Sequence, residues 1–383
     1  MIGLRGIPHT YGGGEEFINY LGPGLAERGH EVTVFCRSSL FPKGERDEFY
    51  RGVRRVFLPT IEHKVLGQFI HASFATMRSL RGYDVIYVHT LPSAPHTIVP
   101  WALRRKVVVN TDGLDWERSK WGRAAKQYFR TGARISVTTG QALVSDSLQM
   151  QLFYEQHFKR GSVFIPYGAE IQESTKPDIV RQYGLEPGQY YLIASRMVPE
   201  NNSDMIVDAF NRLETDRVLA IAGDANYKDA WVDQLKANAG PRIKFLGHVG
   251  DQEHVKELHC NAYAYLHGHS VGGTNPSLLK ALGCGNCIVA FNVPFNTEVL
   301  RDGNGTMYGV MFDDADDLLR QLQMLEAKPE YAAELRGRAP DRIRNVYSWP
   351  KVIDAYEKLF VACANTTRRI EEKAGGERFF EWS

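Results

Sequence analysis

The feature that most constrains the fold is a twofold alternation of short β-branched runs with helix-like segments. Glu31–Cys36, Tyr83–His89, Lys106–Asn110, Arg134–Thr138 and Val163–Pro166 are apolar runs of strand length, as expected for strands buried in a parallel sheet. After a polar stretch, Gln172–Gln182, the pattern recurs with Tyr190–Ala194, Val218–Ala222, Arg242–Leu246, Ala262–Leu266 and Cys287–Phe291. Two α/β domains follow, 1–170 and 171–345, hinged near Ile171–Pro177. At 383 residues the chain exceeds the roughly 250–300 at which a single core stops growing. Apolar positions in Tyr347–Cys363 recur at helical spacing, so 346–365 is expected to be a helix, and 366–383 a charged, solvated tail. The opening Met1-Ile2-Gly3-Leu4 reads as the end of a strand that begins upstream, so a longer form is expected to be more stable.

Overall charge is nearly balanced, 46 Lys and Arg against 45 Asp and Glu, but its distribution is not. Met1 to Glu170 carries 22 basic and 15 acidic residues, leaving 24 and 30 for the remainder. The first half is therefore where an anionic ligand or surface is expected. Five cysteines, an odd number in a long chain, do not read as an extracellular disulfide framework, and a reducing cytoplasm is the expected location. No apolar stretch approaches the roughly 20 residues needed to span a bilayer, so membrane contact would be peripheral.

Three segments point to an anionic ligand. Arg5–Phe17 (RGIPHTYGGGEEF) places three consecutive glycines between a strand and the helix Phe17–Arg28, where backbone can approach a diphosphate and helix-terminal amides can bind it. The alternative is a plain flexible turn. The glycines are contiguous, so this is not the GxGxxG fingerprint of dinucleotide oxidoreductases. Arg196, in ASRMVPENN, follows a strand of the second domain, where its planar fork can pair with phosphate. His267–Gly285 (HGHSVGGTNPSLLKALGCG) sets a Gly-Gly-Thr-Asn-Pro loop before the helix Ser277–Leu282.

Several other signals read as structural. Cys284-Gly285-Asn286-Cys287 is a single CxxC at a turn, and the Asp313–Asp317 cluster opens the helix Leu318–Leu325 as caps do. The stretch Trp116–Arg130 interleaves Arg118, Lys120, Arg123, Lys126 and Arg130 with Trp116 and Trp121. It suits an anionic membrane or lipid diphosphate, or equally a solvated basic face over buried aromatics.

Taken in order, RGIPHTYGGGEEF, VVVNTDGLDWERSKW, IPYGAE, SRMVPENN, LHGHSVGGTNPSLL and YSWPKVIDAYEKL resemble bacterial family 4 glycosyltransferases. Within that family they fit the branch containing rhamnosyltransferases of cell-surface polysaccharide synthesis. The resemblance runs from Arg5 to about Leu359. It implies a GT-B fold, two Rossmann-like domains facing a cleft, with the last helix crossing back to the first domain. It further implies a nucleotide-sugar donor in the second domain, a saccharide or lipid-linked acceptor in the first, retention of configuration and no obligatory metal or other cofactor.

By match of motif, Gly12 and Gly13 would contact the donor diphosphate, and Arg196 would neutralise the leaving group. The family's common Lys after that Arg is Asn201 here, and its two Glu separated by seven residues are Gly272 and Lys280. Gly272, Gly273, Thr274 and Asn275 could then hold the donor through backbone amides and the Asn side chain, with His269 as a phosphate-side hydrogen-bond donor. Lys280 either supplies a phosphate cation or lies on the helix surface. Asp112 orients the acceptor hydroxyl, acts as a base, or caps the Gly113-Leu114 turn. A carboxylate pair of the glycosidase kind is not identifiable, which disfavours a hydrolase. A non-catalytic GT-B binding subunit and a nucleotide-sugar epimerase remain as rival readings.

Overall fold

The computed structural model describes residues 1–8, 13–61, 66–111, 113–117, 122–224, 230–372 and 378–380. In chain order the elements run α1 (Gly13–Glu27), β1 (Thr33–Arg37), β2 (Phe49–Tyr50), β3 (Val53–Leu58), α2 (Leu66–Ser79), β4 (Ile86–Val88), α3 (Ile98–Ala102) and β5 (Val107–Asn110). Next come α4 (Arg123–Thr139), β6 (Ala142–Ser145), α5 (Leu148–Phe158) and β7 (Val163–Phe164). Then follow β8 (Tyr190–Ala194), α6 (Ser203–Arg212), β9 (Val218–Ala222), α7 (Ala230–Ala237), β10 (Ile243–Gly247), α8 (Gln252–Cys260) and β11 (Ala264–His267). The chain finishes with α9 (Pro276–Gly283), β12 (Cys287–Phe291), α10 (Pro294–Leu300), β13 (Val310–Phe312), α11 (Ala315–Ala327), α12 (Pro329–Arg342) and α13 (Trp349–Asn365). One compact unit comprises Met1–Tyr167 with the segment from Trp349 onward, and the other Gly168–Ser348.

In the second unit six parallel strands lie in the order β10-β9-β8-β11-β12-β13. Its core is built by Tyr191, Ile193, Leu219, Leu266 and Val289 from the sheet, against Ile206, Phe210, Leu318 and Leu322 from helices. The strand order reverses between β8 and β11, so connections leave in opposite directions there and open a crevice at their carboxyl ends.

The first unit repeats this plan around a very short centre. Ile2 pairs with Val88 of β4 on one side, and Met1 O accepts from Phe35 N of β1 on the other (3.3 Å). Met1–Ile2 thus joins the β2-β3-β1 ribbon to the β4-β5-β6-β7 sheet. α13 packs on α1: Trp349 stacks on Tyr20 at 4.5 Å, and Arg28 binds Asp354 and Glu357 at 2.6 Å each.

Two expectations are corrected. Arg134–Thr138 is not a strand but the end of α4, which buries Ala133, Ser136 and Thr139 at helical spacing and stops at Gly140. The strand is the next run, Ala142–Ser145. Nor is the tail solvated throughout its described residues, although Arg368, Arg369, Glu371 and Arg378 are exposed. Ile370 bridges to Ala142, and buried Glu372 accepts from Phe164 N at 2.9 Å and Phe379 N at 2.8 Å. Phe380, also buried, meets Phe164 edge-on.

Candidate functional site

At the switch point of the second unit, two loops emerge side by side, 195–202 after β8 and 268–275 after β11. Polar contacts lace them together. Ser270 N and Oγ both donate to Glu200 O at 2.9 Å, and Asn202 Nδ2 donates to Gly268 O at 2.8 Å. Asn201 Nδ2 donates to Arg196 O at 2.7 Å, so the residue standing where the family carries Lys holds the Arg196 backbone instead. From α10, buried Asn296 donates to His269 O at 3.0 Å.

Close backbone approach demands glycine at two positions. A Cβ on Gly268 would lie 2.2 Å from Asn201 O, and one on Gly223, after β9, would lie 1.8 Å from Ser195 O. These contacts fix the chain on either side of Arg196, whose side chain is exposed at the rim.

The second loop ends in a capped helix. Asn275 is the N-cap of α9, its Oδ1 accepting from Ser277 N at 3.0 Å and Ser277 Oγ at 2.8 Å, with Pro276 at the first helical position. Asn275 therefore does structural work that spacing alone did not reveal. Gly273 and Thr274 are buried behind it. Gly272 has φ +146° with open space where a Cβ would sit, so backbone conformation rather than crowding selects glycine. A glutamate at that position would be strained in this loop.

His267 closes β11 fully buried, its ring stacked on His269 at 4.3 Å. Burial and the neighbouring His269 hold His267 well below the usual imidazole range, against the opposing influence of Asn296. Lys280 lies half-buried one turn into α9, its Nζ 3.3 Å from Gln252 Oε1 of α8. Asp314 caps α11, accepting from Asp317 N at 2.8 Å. Among the described residues, no group of three or more His, Cys, Asp and Glu side chains is arranged to hold a metal ion.

The first unit has its own switch point, between Met1–Ile2 and β4, and His89 stands there. Its ring is buried under the start of α1, where a Cβ on Gly14 would lie 2.7 Å from His89 Nε2. Phe17 stacks on the ring at 5.2 Å and the Tyr87 hydroxyl lies 3.1 Å from Nδ1. Burial lowers His89 to about 4, with Glu15 pulling the other way. His89 was missed from sequence, because a histidine ending a strand acquires meaning only once pairing places it beneath the glycine run.

Gly12, Asp112, Arg118 and Lys120 lie outside the described residues. Gly13 begins α1 and Arg123 begins α4, exposed. Trp116 is only 5% exposed and packs on Phe153, so it belongs to the core rather than to a membrane-facing stripe.

Solved structures share this architecture. Sucrose-phosphate synthase from Thermosynechococcus elongatus superposes with a TM-score of 0.75 at 18% identity, covering 92% of this chain and 94% of that one. Anabaena HepE in complex with UDP-glucose gives 0.74 at 16% identity, covering 92% and 96%. Residues 11–150 match the family described as Glycosyltransferase Family 4, and residues 175–342 match Glycosyl transferases group 1. Together these two glycosyltransferase models take in most of the chain, and its fold is GT-B. A relative by sequence is the UDP-N-acetylglucosamine–peptide N-acetylglucosaminyltransferase GtfA subunit of Limosilactobacillus reuteri, 26% identical over 183 residues. That match covers 46% of this chain and 34% of the relative, so this GT-B chain spans about a third of the relative's length.

Proposed function

We propose that this protein transfers a sugar, with rhamnose favoured, from a nucleoside diphosphate to a saccharide or lipid-linked acceptor, with retention, in cell-surface polysaccharide synthesis. The observation that carries the reading is the convergence of Arg196 and the capped N-terminus of α9 on one switch-point crevice. Arg196 would pair with the diphosphate as the anomeric C–O bond breaks, while the amides of 272–275 and the His269 side chain share the developing charge. Preorganised donors aimed at developing charge are where such catalysis gains most. Front-face attack needs no enzymatic base, and Asp112 remains the acceptor-side candidate.

The motif resemblance supports a dTDP-rhamnose donor. HepE with UDP-glucose and the pneumococcal O-GlcNAc transferase GtfA with UDP and GlcNAc keep UDP-sugars in the test set. One observation favours a second reading, a donor-binding subunit without turnover: Gly272 and Lys280 stand where the family's Glu pair would be.

Thermal-shift titration with dTDP, UDP and GDP names the base. Incubation of the matching nucleotide sugar with and without saccharide acceptor then separates the readings. Diphosphate release only with acceptor supports transfer, binding without turnover supports the subunit, and inversion without acceptor supports an epimerase. Absence of any nucleotide binding would overturn the donor site itself.

A further inference from the structure

We infer that Cys260 and Cys284 of the second unit form a redox-active dithiol, a modification site that hydrogen peroxide oxidises to a disulfide. Cys260 is the last residue of α8 and Cys284 the residue that follows α9. All five cysteines are free thiols. By spacing, Cys284 belongs with Cys287 in a CxxC, but the fold parts them. Cys287 enters β12 fully buried, while Cys284 shares a hydrogen bond with Cys260.

One residue gathers the two sulfurs. Cys260 Sγ donates to Gln172 O at 3.6 Å and Cys284 Sγ to Gln172 Oε1 at 3.8 Å. Gln172 is itself pinned, its N–H donating to Gly283 O at 2.9 Å. Two residues on, Ser174 Oγ donates to the buried Glu257 carboxylate of α8 at 2.5 Å. The segment 170–174 therefore straps the end of α8 to the end of α9. It is pressed close, since a Cβ on Gly283 would lie 2.1 Å from Glu170 O.

A cavity of about 310 Å³ opens onto both sulfurs between this strap and α12. Cys260 and Cys284 line it at 8% and 6% exposure, and the exposed residues Glu173, Ser174 and Arg344 line its outer part. One water in the liquid takes about 30 Å³, so hydrogen peroxide has room to reach the pair.

The two thiols differ in role. When Cys260 ionises, the Cys284 thiol donates to it, which holds Cys260 below the usual thiol range and Cys284 well above it. Lys256 and Arg336 also favour the Cys260 thiolate, against burial and Glu257. The thiolate attacks one peroxide oxygen and the O–O bond breaks. Hydroxide leaves, takes up the proton that Cys260 gave up, and a sulfenic acid remains on Cys260. Cys284 then attacks that sulfur, so that an S–S bond replaces the S–O bond and the oxygen departs as water with the Cys284 proton. Two thiols thus give two electrons to one peroxide, yielding a disulfide and two waters. The bond closes β11 and the loop 268–275 into a covalent ring.

The test is peroxide titration of the full reduced chain, followed by iodoacetamide under denaturing conditions and mass spectrometry of a digest prepared without reductant. The expected product joins Cys260 to Cys284, is two hydrogen atoms lighter than the separate peptides, and reverts with dithiothreitol. Burial pushes Cys36 up to about 11, and Cys287 and Cys363 up to about 12. These three carry at least about a hundredfold less thiolate, of which greater intrinsic nucleophilicity recovers about tenfold, so they should oxidise about tenfold more slowly. Cys284→Ser should stop at the sulfenic acid, captured on Cys260 by dimedone. Both readouts follow the thiols and need no nucleotide, so they are independent of the proposed transfer. Full alkylation of Cys260 and Cys284 after peroxide, or Cys284 bonded to Cys287 or to a second chain, would overturn the inference.

Discussion

Two glycines with the same backbone angle give an internally controlled test of how the switch-point crevice is held. Gly223 and Gly272 both have φ +146°, yet a Cβ on Gly223 would lie 1.8 Å from Ser195 O and 2.8 Å from Ser195 C, whereas one on Gly272 meets nothing within 4 Å. Gly223 cannot retreat easily, because its N–H donates to Gly247 O at 2.8 Å and Ser195 N donates to Ala222 O at 3.0 Å. Alanine at either site carries a backbone strain of about 1–3 kcal/mol. At Gly223 an overpacking cost of about 1–3 kcal/mol adds to it. Gly223→Ala should therefore cost about 4 kcal/mol and Gly272→Ala about 2 kcal/mol. For a unit of this size these correspond to Tm losses of about 8–16 °C and about 4–8 °C. Differential scanning calorimetry of the two variants provides the comparison. Equal losses would refute the claim that contact with Ser195, and not strain alone, sets the path of the chain into Arg196.

Arg196→Ala should lower kcat/KM for the donor by about 10²–10³, the loss expected for one preorganised charge-stabilising group, with no change in Tm because the side chain is exposed. An unimpaired variant would remove Arg196 from the mechanism. Acid should destabilise the first unit: burial holds His71 and His89 at about 4, against an ordinary value of 6.5. Between those values the unfolded chain takes up protons that the folded one refuses, so their contribution to stability is intact above pH 6.5 and lost as pH falls toward 4. Urea midpoints that stay level across that window would contradict it. Phe380→Ala should cost the first unit about 3 kcal/mol, since it empties a buried aromatic site against Phe164. An unchanged unfolding midpoint would restore the picture of a solvated tail.

The second unit was more legible than the first, and the residues show why. Tyr190–Ala194, Val218–Ala222 and Cys287–Phe291 are unbroken apolar runs, and each is a strand over the residues expected. β3 hid because Arg54 and Arg55 interrupt its run, although Arg55 is itself buried and donates to Asp47 O. Arg134–Thr138 misled because five residues of mixed Ile, Val and Thr cannot separate a strand from the end of a helix. The tail hid because Glu372 looks solvated until Phe164 N and Gln151 supply its partners from far along the chain. In the site, Arg196 and the Gly272–Asn275 loop were visible as residues following strands. The capping role of Asn275, the Asn201 bond to the Arg196 carbonyl and the place of His89 depend on tertiary geometry that spacing does not encode.

Binding of a nucleoside diphosphate at the carboxyl ends of β8 and β11, as proposed, can be read directly by amide hydrogen exchange with and without saturating dTDP, UDP or GDP. One of them should slow exchange in two separate peptides, 195–202 and 268–278, and Arg196→Ala should weaken this protection. Protection confined to other parts of the chain, or none with any of the three, would contradict it.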